Sequence, residues 1–285
     1  MKLPVKCPDS VIYFLAGSLP ILAHIHKKQL NLCGMITRIP ENVLCKLANK
    51  FLLSEPDNSK SWFIGIRHLC SLYNLPTPLQ LINQPLSKDA FKSQVTQKVL
   101  DHWQVCLRRE AMSKSSLLFF NPSSMSLSLP HPLWTSCSSN PFEVNKARVQ
   151  AALLSGRYKT DYLSRHWNFS NPNGFCMLCP GKFLFGTVQH FLVHCEALSD
   201  TRSRIIDLWS ASAEDNVNIH HLLKQLLKSP SELLLQFLLD PSVVPEVVNL
   251  VQHGLVNLDT LFYLSRTWYH NYNYLDFSTD YNCIK

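Results

Sequence analysis

Cys176, Cys179, His190 and Cys195 fall in the spacing C-x2-C-x10-H-x4-C, and no other feature so restricts what this 285-residue chain can fold into. Three thiols and an imidazole are the donor set of a tetrahedral zinc site, and a Cys-x2-Cys pair lets one tight turn supply two of the four ligands. Pro180, Gly181 and Gly186 lie in the ten-residue gap, where the chain must double back for His190 and Cys195 to close the shell. The segment from Phe175 to Gly181 therefore reads as a knuckle, and Thr187 to Glu196 as a short ligand-bearing helix.

Spacing alone leaves the fourth ligand open. On an α-helix His190 and His194 share a face, whereas His190 and Cys195 diverge by ~140°. Cys195 can serve if the helix opens at its last turn, and a thiolate holds zinc more strongly than an imidazole. Cys195 is thus the preferred ligand and His194 the alternative.

Ten cysteines are scattered over the chain with only this one pair closely spaced, which suits reduced thiols and a metal site better than a disulfide framework. Hydrophobic residues make up 46% of the chain and aromatic residues 11%, enough for a sizeable core. The apolar stretch from Val11 to Ile25 is interrupted by Gly17 and Pro20 and carries His24, so it reads neither as a signal peptide nor as a membrane span. The expectation is a soluble intracellular protein, nuclear or cytoplasmic, with no membrane partner.

Charge is divided unevenly. Residues 1–160 carry a net charge of +11 and residues 161–285 a net −4. A basic front half is the electrostatic footprint of an RNA or DNA partner. Arg108, Arg109, Arg148, Arg157, Tyr158, Lys159 and Lys182 are the candidate nucleic-acid contacts, being basic or aromatic residues that lead into the knuckle. His24, His26, His220 and His221 have no Cys or carboxylate at ligand spacing and read as polar surface. Trp62 and Trp103 read as core anchors.

Hydrophobic periodicity predicts a mainly α fold. Helices are expected over 20–39, 41–53 and 59–73, then a long amphipathic one capped by Ser87 and striped by Phe91, Val95, Val99, Trp103, Cys106 and Leu107. Asn140-Pro-Phe-Glu143 gives an N-cap, a first-turn Pro and a capping-box Glu for the next helix. Further helical stretches follow over 199–213, 217–228, 231–239, 243–254 and 255–274. The expected organisation is a helical region over 1–112, an extended Ser/Pro-rich connector over 113–140, a helix plus knuckle over 141–198, and a helical bundle over 199–285.

The order of several short segments resembles the C-terminal region of non-long-terminal-repeat retrotransposon polyproteins, the part after the reverse transcriptase core. They are Pro8-Asp-Ser-Val-Ile-Tyr-Phe-Leu-Ala-Gly-Ser-Leu-Pro20, Ala23-His-Ile-His-Lys-Lys-Gln-Leu-Asn-Leu32, Gly34-Met-Ile36, Lys60-Ser-Trp-Phe63, Tyr73-Asn-Leu-Pro76, Pro85-Leu-Ser-Lys-Asp-Ala-Phe-Lys92 and Leu154-Ser-Gly-Arg-Tyr-Lys-Thr-Asp161. The Cys176–Cys195 site, Leu238-Leu-Asp-Pro-Ser242 and Leu264-Ser-Arg-Thr-Trp268 complete the series. The resemblance implies a helical thumb extension and linker followed by a zinc knuckle that helps grip template RNA or target DNA. It also implies a partner in the polymerase region of a related retroelement protein.

Catalytic machinery is not expected in this chain. Reverse transcription needs paired carboxylates around two metal ions, which the family holds in an F/Y-x-D-D turn, and no such motif occurs. Asp276 and Asp280 are separated and C-terminal. Asp240 and Asp259 mimic the spacing of a restriction-like nuclease found in some relatives. They lack its basic-Pro lead and its lysine, and so read as a helix break and a surface acid.

Overall fold

The computed structural model describes residues 7–39, 41–54, 56, 59–156, 158, 160, 171–179, 182–213 and 216–269. The fold is mainly α. In chain order the helices are α1 (Asp9–Ala16), α2 (Ile21–Thr37), α3 (Val43–Ser54), α4 (Trp62–Leu72), α5 (Pro78–Asn83), α6 (Lys88–Met112), α7 (Pro132–Thr135), α8 (Pro141–Leu154), α9 (Ser199–Ser212), α10 (Val217–Lys228), α11 (Ser231–Leu239), α12 (Pro245–Gln252) and α13 (Leu258–Thr267). Two compact units result: residues 16–110 with 126–129, and residues 1–15, 111–125 and 130–285.

In the first unit α2 and α6 are the long elements. Ala23, Leu30 and Cys33 of α2 share one core with Phe91, Val95 and Val99 of α6, and Ile66, Cys70, Tyr73, Leu75 and Leu81 complete it. The α6 residues recur every fourth position, so one face is continuously apolar. Ser87 starts that helix by accepting the amide N–H of Ala90 at 3.3 Å. Gly34 allows α2 and α6 to approach: a Cβ there would lie 2.4 Å from the Phe91 ring. Trp62 and Trp103 pack half-buried against this core. Trp103 Nε1 donates to Tyr73 Oη at 3.1 Å, and Tyr73 Oη in turn lies 2.6 Å from Nδ1 of His26.

The short α5 was not anticipated. Thr77 and Gln80 form a capping box in front of it, with Pro78 at the first turn.

In the second unit Trp209, Phe237, Phe262, Trp268 and Tyr269 are fully buried. Fully burying one such side chain stabilises by about 1.5–3 kcal/mol relative to leaving it exposed. Several polar groups enclosed with them find partners. Leu238 O accepts from Gln150 Nε2 at 2.9 Å and from Tyr269 Oη at 2.7 Å. Arg266, 1% exposed, donates to Ser136 O and Ser136 Oγ at 2.8 Å each and lies 3.4 Å from Glu143. It thereby ties α13 to the start of α8.

Three expectations need correction here. Residues 113–140 do not form an extended connector. They contain helical turns at Ser115–Leu117 and Pro122–Ser124 as well as α7, and Leu117, Phe120, Met125, Leu127 and Leu133 are buried. Part of this segment closes on Gly156, whose φ of +63° and contact with Ser116 leave no room for a side chain. Glu143 does not complete a capping box: Asn140 Oδ1 accepts from the Phe142 amide, and Glu143 instead faces Lys146 at 2.9 Å and Arg266. Finally, the knuckle and the C-terminal helices belong to one compact unit.

Candidate metal centre

The knuckle starts from a turn. Asn171 brackets Phe175, its side-chain amide donating to the Phe175 carbonyl (2.6 Å) and its carbonyl accepting the Phe175 N–H (3.2 Å). Gly174 takes φ +69° at the bend. Phe175 and Phe185 then pair as an antiparallel bridge, flanked by Cys176 N–H to Leu184 O (2.8 Å) and Gly186 N–H to Gly174 O (2.9 Å). This small hairpin delivers Cys176 and Cys179.

The other two donors come from an unusual turn. Val188 and Gln189 are α-helical, but His190–His194 form a π-turn closed by Cys195 N–H to His190 O at 2.6 Å. In a turn closed by an i→i+5 bond the fifth residue comes round above the first, where an α-helix would place the fourth. Cys195 then leaves the helix with extended dihedrals (φ −63°, ψ 113°). His190 and Cys195 are buried on the same side, while His194 is exposed. Cys195 is the fourth member of the cluster, and His194 is not part of it.

The donor atoms of Cys176, Cys179, His190 and Cys195 all lie within 4.8 Å of one another and could hold a metal ion. Cys176 Sγ to Cys195 Sγ is 3.9 Å, Cys179 Sγ to Cys195 Sγ 3.5 Å, and Cys179 Sγ to His190 Nε2 3.7 Å. A tetrahedral shell with bonds of about 2.3 Å to sulfur and about 2.05 Å to nitrogen has edges of about 3.8 Å (S to S) and 3.6 Å (S to N). Those three separations lie close to these edges, and the two sulfur–sulfur distances are far beyond a disulfide bond.

Electrostatics around the sulfurs divide the thiols. Burial raises the Cys195 thiol to about 12, with Cys179 and Cys176 crowding it further. Burial also raises Cys176, partly offset by the Leu178 amide. Cys179 goes the other way: burial opposes ionisation, but the amides of Ala197 and Glu196 and the neighbouring thiols outweigh it and hold it below its ordinary range. Backbone N–H groups aimed at sulfur are what a metal-bound thiolate requires.

The site is anchored to its unit from several sides. Trp268 Nε1 donates to Leu192 O within the π-turn at 3.2 Å. Gln189 Nε2 reaches Ser231 Oγ at 3.0 Å. Lys182 on the hairpin forms an exposed ion pair with Glu196, beside Cys195.

The described residues among the expected nucleic-acid contacts are divided between the two units. Arg157 and Lys159 lie outside the described residues. Tyr158 corrects an expectation: it is 5% exposed, its ring packs 5.9 Å from Phe191, and it has no free face for a base. Arg108 and Arg109 sit at the end of α6 in the first unit, whereas Arg148 and Lys182 belong to the second. Arg148 Nη1 donates to Asn145 Oδ1 at 3.1 Å.

What sequence reading missed is the aromatic surface of the knuckle. Phe175 stacks on Phe185 at 5.3 Å and meets Phe183 edge-on at 5.5 Å, while Phe183 remains 82% exposed and Phe185 52%. The Phe-rich run around the Cys pair was the available signal.

Asp259 is exposed, as expected. Asp240 ends α11 but is fully buried. Its Oδ1 accepts from the amide (3.1 Å) and hydroxyl (2.6 Å) of Ser242, and its Oδ2 faces His131 Nε2 at 3.3 Å. The serine therefore bonds the carboxylate rather than the imidazole, an arrangement that braces a helix junction and does not activate a nucleophile. Asp276 and Asp280 lie outside the described residues.

No family model, curated protein or solved structure matches this chain. Among the described residues, no helix is long and apolar enough to cross a membrane.

Proposed function

We propose that this chain is a non-catalytic nucleic-acid-binding module built around a structural zinc knuckle, akin to the C-terminal part of a retrotransposon reverse transcriptase. The observation that carries the reading is the buried cluster of three thiols and one imidazole, with exposed phenylalanines on the hairpin it closes. Zinc is the metal that best suits this donor set in a closed tetrahedral shell. Four protein ligands leave no position for a reactive water, so the metal's part is to hold the fold.

Nucleic-acid binding is supported by the net charge of +11 on residues 1–160 and by rings able to stack on unpaired bases. Binding of a fluorescent single-stranded RNA and of a DNA duplex across a salt series tests this. The affinity should fall with salt by roughly 0.7 log units per log for each phosphate contact on the single strand. Replacing Phe183 and Phe185 together by Ala should weaken single-strand binding at least about tenfold without loss of metal. Replacing Arg157 and Lys159 together should flatten the salt slope by about one to two units. A slope near zero in the intact chain overturns the reading.

A second reading, a zinc-stabilised protein-interaction module, draws on the exposure of Met177, Leu178 and Leu184 beside the same rings. It predicts no nucleic-acid binding at any salt concentration.

A further inference from the structure

Helix α2 has two apolar seams, and among the described residues only one of them is buried. Ala23, Leu30 and Cys33 line the face buried in the core of the first unit, and Gly34 meets Phe91 of α6. On the far side Ile21, Ile25, Lys28, Leu32 and Met35 follow one another at spacings of four, three, four and three residues, and Ile39 continues the series just past the helix end. That is the heptad pattern of a helix-pairing seam. All six are exposed, and the four apolar residues within the helix are between 44 and 72% exposed. Alternating steps of three and four keep a narrow line of side chains facing a single partner helix.

The charges on α2 select the partner. The helix carries Lys27 and Lys28 and no Asp or Glu, and Arg38 follows directly. Lys28 occupies the middle of the seam. Pairing with a second copy, parallel in register or antiparallel about the seam's centre, would set Lys28 against Lys28, and like charges at such a position oppose association. A partner helix with an acid opposite Lys28 and acidic flanks gains attraction at the same place. A bilayer surface would call for a broad apolar face; here His24, Gln29 and Asn31 border the seam, and Leu22 at one end is the single further exposed apolar residue of the helix.

We propose that α2 is a docking seam for an acidic amphipathic helix of another protein, read through Ile21, Ile25, Leu32 and Met35 and oriented by Lys28. This inference is independent of nucleic-acid binding at the knuckle.

The test uses the full chain and two synthetic helical peptides of three heptads with Leu at the core positions. One has Glu at the flanking positions and at the site opposite Lys28; the other has Lys at all of these. Fluorescence anisotropy should show the acidic peptide binding at least about tenfold more tightly than the basic one. Ile25→Glu with Leu32→Glu should abolish binding, while metal content and thermal midpoint stay unchanged because both residues face away from the core. Lys28→Glu should reverse the preference between the peptides. Equal binding of both peptides, or an unchanged preference in Lys28→Glu, overturns the proposal. So does a dimer in sedimentation, or binding to phosphatidylserine vesicles, that the double Glu variant abolishes.

Discussion

The amide of Cys195 donates to the carbonyl of His190, five residues earlier, at 2.6 Å. This one bond places an imidazole and a thiol on the same side of the chain and turns His194 out to solvent. It explains how ligands five residues apart can close one shell without a long loop.

The geometry makes a direct prediction about the fourth ligand. Cys195→Ala should lower metal affinity by more than ~100-fold, since altering groups merely bonded to a ligand already costs about 10–100-fold. His194→Ala should retain full metal. Metal content after dialysis against a graded chelator series compares the two, and equal loss in both would contradict the assignment.

Two helix glycines should respond with opposite signs. Gly65 in α4 has nothing within 4 Å of where a Cβ would stand, so Gly65→Ala should stabilise by about 0.5–1 kcal/mol through helix propensity. Gly34→Ala gains the same term but drives a methyl into the buried Phe91 ring, and overpacking of ~1–3 kcal/mol or more outweighs it. Urea denaturation of both variants reads the signs. Stabilisation by Gly34→Ala would mean that α2 and α6 do not approach closely.

Arg266→Met should cost on the order of 3 kcal/mol, because it leaves Glu143 short of a partner and Ser136 without its donors in the interior. A loss below about 1 kcal/mol in chemical denaturation would show that the network is dispensable.

His26 supplies a pH dependence. Burial, and then the charge of His102, hold its pKa below the ordinary 6.5. Trp103 donates to Tyr73 Oη, which leaves the phenol hydrogen for Nδ1 of His26, a bond that requires that nitrogen unprotonated. The unfolded chain takes up a proton near pH 6.5 that the folded chain resists. His26 therefore contributes fully above that pH, and its contribution falls as the pH drops through 6.5 toward the folded value. The loss of stability between pH 7.5 and about 5.5 should be smaller in His26→Gln than in the parent. Comparing the two chains removes the acid loss of metal common to both. An identical loss would exclude His26 as a contributor.

The sequence was most informative where one local rule dominates. Ser87 before an apolar stripe located α6, the N-cap Asn140 with Pro141 at the first turn located α8, and the Cys-x2-Cys turn with its downstream His and Cys located the four-residue cluster. Misreadings arose where tertiary packing overrode composition. Ser and Pro made residues 113–140 look like a connector, yet Leu117, Phe120, Met125, Leu127 and Leu133 among them are buried. Tyr158 reads as a ligand-facing aromatic beside basic residues, but Phe191 encloses it. Thr77-Pro78-Leu-Gln80 carries the signal of a helix start, a capping box with Pro at the first turn, and it went unread in a segment that Pro76, Pro78 and Pro85 mark as a loop. No local pattern announces the π-turn, because an i→i+5 closure is held by contacts far along the chain, such as Trp268 to Leu192.

The central claim is a closed structural site with three thiolates and one imidazole. Loading the purified full chain with cobalt reads it most directly. The visible absorption should show the intense bands of tetrahedral cobalt with thiolate ligands at one equivalent per chain. Cys176→Ser should weaken them, zinc should displace the cobalt, and chelation should lower the thermal midpoint, since metal binding and folding are coupled at such a site. Weak octahedral absorption, or a thermal midpoint indifferent to metal, would contradict the account.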